Sequence, residues 1–93
     1  MDNFITRGGK KILSENKESQ VQSFLLRMAP GAVIPPHEHI LDEECFMLEG
    51  EFMIGDVYLS QGDYHLARKG SKHGIASTQT GGLAFLRAYG PMD

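Results

Sequence analysis

Glycine and proline interrupt this chain so often that it has little room for a long helix. Eleven glycines and four prolines are spread over 93 residues, and only stretches 10–29 and 37–49 run past ten residues without either. Inside a helix a glycine costs about 1 kcal/mol and a proline about 3 kcal/mol relative to alanine. The first stretch is itself broken by the polar run Ser14, Glu15, Asn16, Lys17, Glu18, Ser19, which reads as a turn. Residues 20–28 suit a strand that stops at Ala29, Pro30 and Gly31. Residues 51–54 and 57–59 flank Gly55 and Asp56, a hairpin signal. After a break at Gln61, Gly62 and Asp63, residues 64–67, 74–78 and 83–89 read as further short strands. About eight or nine strands and no helix describe an all-β domain, a sandwich or a barrel. Stretch 37–49 stays ambiguous by pattern: Leu41, Cys45 and Leu48 sit at helical spacing, while residues 45–48 could equally form a buried strand.

The length allows one domain and not two, divided as an N-terminal arm over residues 1–10 and a folded domain over 11–90. Nine basic against twelve acidic residues leave a net charge of -3, no electrostatic footprint for nucleic acid or an anionic membrane. A single cysteine, Cys45, cannot form an internal disulfide. No apolar run reaches the roughly 18–20 residues of a membrane span. The start, Met1, Asp2, Asn3, Phe4, lacks the basic and apolar segments of a signal peptide. The expectation is a small, soluble, cytoplasmic domain.

The most informative stretch runs from Gly31 to Glu43. His37 and His39 are two apart. On a helix they would point about 200° apart; on a strand they share a face, roughly 7 Å apart along the chain. Pro35 and Pro36 just before them favour extended backbone. Glu43 has the same parity, and His73 follows a glycine turn from elsewhere in the chain. Imidazole nitrogen and carboxylate oxygen suit zinc, iron, manganese or nickel. A histidine pair on a strand surface can also be merely solvated, so spacing alone leaves both readings open.

The spacing of this region resembles the cupin family. The first cupin motif is glycine, five residues, His-x-His, three or four residues, Glu, six residues, Gly, and Gly31, His37, His39, Glu43 and Gly50 fit it throughout. The second is matched by Gly62, Gly70 and His73, with Arg68 in place of its proline and Ser77 in place of its asparagine. The wider run from Lys11 to Tyr89 is similar to the cupin-like domain of ChrR-type anti-sigma factors, through residues 47–52, Gly62, Asp63, Tyr64 and residues 70–73. The resemblance implies a small double-stranded β-helix, or cupin jelly-roll barrel. It also implies one divalent transition metal held by His37, His39, Glu43 and His73. The seven-residue step to Gly50 and the parity with His39 select Glu43 over its neighbour Glu44.

With Glu43 inward, Cys45 and Met47 lie further along the same face. They join Arg27 and Tyr64 as candidate substrate-binding residues, with Leu66 beside them and His65 pointing outward. Cys45 has two readings, a thiol near a metal or a small apolar wall residue. Arg27 could pair with a substrate carboxylate or sit solvated, and Tyr64 could bind a ligand or pack in the barrel. Two functions are compatible with this set. One is a metal-dependent enzyme, a dioxygenase or isomerase for a small oxygenated compound. The other is a non-catalytic metal- or ligand-sensing module; direct sigma-factor binding is not expected, because the helical domain of such anti-sigma factors has no counterpart before the barrel. Phe46 and Leu48, on the face opposite Glu43, lead to the expectation of a homodimer packed sheet to sheet.

Overall fold

Every regular element among the described residues is a β-strand. The computed structural model describes residues 9–34, 42–70 and 75–89, together with the backbone of 37–38 and 72–73. Ten strands run in order: β1 (Gly9–Asn16), β2 (Val21–Met28), β3 (Val33–Ile34), β4 (His37–Glu38), β5 (Glu43–Ile54), β6 (Val57–Ser60), β7 (Tyr64–Ala67), β8 (Lys72–His73), β9 (Ala76–Ser77) and β10 (Gly82–Tyr89). Within the ambiguous stretch 37–49, residues 37–38 and 43–49 are strand among the described residues. No helix among the described residues is long and apolar enough to cross a membrane.

Eight strands form one curled antiparallel sheet in the order β1-β2-β10-β5-β9-β3, with β6 and β7 also paired to β5. The remaining two, β4 and β8, pair with each other and, among the described residues, with no other strand. This is a cupin jelly roll, and β5 is its spine. The first part of β5 pairs with β10 and β7, and its last residues pair with β6 and β9. Between the two parts the register on β10 slips: Leu83 faces Glu49, but Ala84 faces Met47, so Leu48 is an extra residue. Such a bulge bends a strand and reverses the parity of the residues beyond it. Glu43, Cys45 and Met47 therefore face inward before it, and Phe52 and Ile54 after it.

Gly50 makes that bend possible. Its φ of 73° is left-handed, and a Cβ there would overlap Gly81 O and lie 2.7 Å from Gly82 Cα. The β5–β6 hairpin uses a second special glycine, Gly55 at φ 61°, where a two-residue turn of the II′ kind asks for glycine first.

The core gathers Phe24 and Met28 from β2, Cys45, Met47 and Phe52 from β5, Leu59 from β6, and Ala84 and Leu86 from β10. Two polar side chains are buried with partners. Gln22 Nε2 donates to Glu15 Oε2 at 3.4 Å, and Thr78 Oγ1 donates to Glu51 O at 2.7 Å. β1 is an edge strand exposed along its whole length.

Candidate metal centre and ligand cavity

The β4–β8 ladder sets His37 opposite His73 and Glu38 opposite Lys72. Two of the four expected metal ligands, from the two separate cupin motifs, are thus direct backbone partners. His39 lies outside the described residues. Glu43 opens β5, half-buried, and lines a cavity of about 60 Å³. It is the one expected ligand whose side chain is described. Among the described residues no three His, Cys, Asp or Glu side chains form a metal-holding group.

The apolar part of the described cavity wall comes from Leu26, Met28, Ile34, Phe52, Ile54 and Leu86. The polar part is Glu43, Cys45 and His65. Cys45 is buried and free, only 4% exposed. Burial first, and then the charge of Glu43, push its thiol up to about 12. It therefore stays a protonated, weakly polar wall group at neutral pH.

Glu44, next to Glu43, points the other way. Its two oxygens accept hydrogen bonds from Tyr64 Oη at 2.9 Å and Tyr89 Oη at 3.2 Å, tying β5 to β7 and to β10. The bond to Glu44 raises the Tyr64 phenol above its ordinary value.

Three expected substrate-binding residues lie away from the cavity. Tyr64 is 54% exposed on the outer face, and His65 and Ala67 are the β7 residues that line the cavity. The register decides this: β7 pairs Phe46 with Tyr64 and Cys45 with His65, and direct partners share a face. Met47 has the right parity but is completely buried in the core behind the cavity wall. Arg27 alternates with the inward residues Leu26 and Met28, so it faces outward. Its Nη1 and Nη2 lie 3.4 Å from Glu49 Oε1, beside a surface groove of about 290 Å³ lined in part by Gly50, Thr80 and Gly81. Cys45 alone of the four lines the cavity.

His65 is the residue that sequence reasoning turned the wrong way. Parity counted from the Gly62–Asp63 break cannot fix a face, because the turn geometry sets the register. Here Met47 N donates to Asp63 O and Gly62 N donates to Met47 O, both at 2.9 Å, and these bonds lock Cys45 against His65.

The curled antiparallel sheet with Glu43 on its cavity wall is the cupin arrangement. The family described as the ChrR cupin-like domain matches residues 7–93, and the chain belongs to it. Its fold is shared with an acetylacetone dioxygenase from Acinetobacter johnsonii (TM-score 0.81, 17% identity, 90% of this chain and 62% of that one). A cupin superfamily protein from Desulfitobacterium hafniense DCB-2 is also similar (TM-score 0.78, 18% identity, 89% of this chain and 77% of that one). So is a chain in the complex of Rhodobacter sphaeroides SigE with the anti-sigma ChrR (TM-score 0.73, 20% identity, 85% of this chain and 42% of that one). The chain thus spans less than two thirds of the dioxygenase's length. A search of the curated proteins gives no match.

Proposed function

We propose that this domain is a metal-binding cupin whose cavity admits one small oxygenated organic molecule. His37, His39, Glu43 and His73 are its ligands for a single zinc, iron, manganese or nickel ion. The observation that carries this reading is the pairing of His37 with His73, together with Glu43, a third expected ligand, on the cavity wall. Three nitrogens with one carboxylate oxygen suit these ions. When bound, the metal supplies Lewis-acid polarisation of a substrate oxygen or, as iron, redox chemistry. The chain's own contribution is a cavity with a mostly apolar wall and a thiol that stays protonated.

The likeness to the acetylacetone dioxygenase supports an enzymatic version of this reading, oxidative cleavage or isomerisation of a small carbonyl compound. Family membership supports a second version, a module that binds metal or ligand without turnover and signals by changing an association. Oxygen uptake separates them. The iron-loaded chain given acetylacetone consumes oxygen in the first version. An iron-loaded, folded chain that consumes none with acetylacetone or with related small ketones leaves the binding module.

A further inference from the structure

We infer that the surface groove beside Arg27 binds a free α-amino acid with an aliphatic side chain, Arg27 taking its carboxylate and Glu49 its ammonium group. The two charged side chains stand on the outer face of the sheet, whereas Glu43 lines the inner cavity. This site therefore depends neither on the proposed metal nor on that cavity.

The register builds the charged pair. Leu83 on β10 pairs with Arg27 on β2 and with Glu49 on β5. The three share one face, and the guanidinium reaches across β10 to the carboxylate. Both Nη atoms lie 3.4 Å from the same oxygen, Glu49 Oε1. A well-made bidentate pair uses two oxygens at about 2.7–2.9 Å. The Arg27 side chain is only 20% exposed, and its Nε is buried without a hydrogen-bond partner, alone in this among the described residues. Packing thus holds the guanidinium in place and leaves it short of acceptors. Glu49 is 62% exposed, and so open an ion pair contributes little stability, so parting it for a ligand costs little.

The floor beside the pair is bare backbone. Gly82 pairs with both Met28 and Gly50, and a Cβ on Gly50 would overlap Gly81 O. With no side chain at 50, 81 or 82, a groove of about 290 Å³ opens there. On the same scale one water position takes about 10–15 Å³, so an amino acid of about eight non-hydrogen atoms fits. Met28, Ala29 and Pro30 give the groove an apolar side for an aliphatic side chain.

Charge decides the ligand class. Arg27 and Glu49 are the only charged groups among the described lining residues. A simple anion is repelled by Glu49, and a simple cation by Arg27. A zwitterion answers both, with carboxylate oxygens for the Nη donors and ammonium donors for the Glu49 oxygens. Nε stays enclosed, so Nη1 and Nη2 meet the ligand.

The test is an NMR titration of the full chain with L-valine and, separately, with N-acetyl-L-valine, L-valinamide and glycine. Binding is read from the backbone amides of Gly50, Gly81 and Gly82. The groove is open to water, so L-valine binds in the millimolar range. It binds more tightly than the other three, which lack its ammonium, its carboxylate and its side chain in turn. Glu49→Gln weakens L-valine about 5- to 10-fold, the loss of one charge-assisted hydrogen bond at an exposed site, and does not weaken N-acetyl-L-valine. Arg27→Gln weakens L-valine by a similar factor and does not weaken L-valinamide. The ranking of the four compounds on the wild type decides the inference even where a variant fails to fold. No shift at the three glycines, equal or tighter binding of any other compound, or unchanged L-valine affinity in either folded variant overturns it. Shifts confined to Glu43 and Cys45 place the amino acid at the proposed metal instead and overturn it as well.

Discussion

His37 and His73 are direct backbone partners in the two-stranded β4–β8 ladder, which among the described residues makes no pairing with the main sheet. Each comes from one of the two cupin motifs, so the ladder joins the motifs at backbone level before any metal is considered. β5 begins shortly after β4 and carries Glu43 to the cavity wall.

Adjacent glutamates on one strand should behave as opposites. Glu43→Gln removes a proposed metal ligand and lowers metal bound per chain several-fold. Glu44→Gln leaves metal content unchanged but weakens the acceptor that holds the Tyr64 proton. The phenol then ionises at lower pH, toward its ordinary value of 10.0, in an ultraviolet titration. Equal metal loss in both variants contradicts the assignment.

One carboxylate oxygen organises the loop before β10. Glu51 Oε1 accepts from Gln79 N at 2.8 Å, Thr80 N at 3.1 Å, Thr78 Oγ1 at 3.0 Å and Thr80 Oγ1 at 3.3 Å. These bonds, that from Thr80 N first, hold the Glu51 carboxyl below its ordinary 4.5. A carboxylate whose folded value is depressed stabilises the fold above its unfolded value and loses that stabilisation as pH falls through the folded one. Glu51→Ala therefore costs roughly 1–2 kcal/mol at neutral pH, the scale of a lost cap. In denaturant titrations the difference from wild type shrinks as pH drops below about 4.5; a difference independent of pH contradicts this role.

Gly50 and Gly62 both have positive φ, 73° and 90°, yet their surroundings differ. A Cβ at Gly62 meets nothing within 4 Å, whereas one at Gly50 runs into the backbone of Gly81 and Gly82. Gly62→Ala bears backbone strain alone, about 1–2 kcal/mol. Gly50→Ala adds a clash that no side chain can relieve and costs about 2–5 kcal/mol in urea unfolding. Similar losses at both positions contradict the close approach of β10 to the β5 bulge.

The outer face of the sheet aligns Leu25, Phe85, Phe46 and Tyr64 in one cross-strand row. Phe46 is 41% exposed there. If this row packs against a second copy, light scattering at micromolar concentration gives twice the chain mass, and Phe46→Glu gives the monomer. A wild-type monomer contradicts the dimer.

The strands were legible because glycine and proline mark their ends: the hairpin at Gly55 and Asp56 and the strands at 64–67 and near 83–89 stand where composition places them. Inward parity was legible for Cys45, which shares a continuous strand with Glu43. Parity failed at Tyr64 and His65, where a turn intervenes and inter-strand bonds choose the face. The joining of 43–54 into one strand was hidden as well, because Gly50 reads as a break but serves as a bend. Met47 shows a further limit: pattern tells inside from outside, not cavity wall from solid core.

Elemental analysis of the untagged protein, purified without chelators, tests the metal site most directly. The wild type should carry about one transition-metal ion per chain, and folded His37→Ala and His73→Ala should each carry well under one. Full occupancy in both variants would contradict the site.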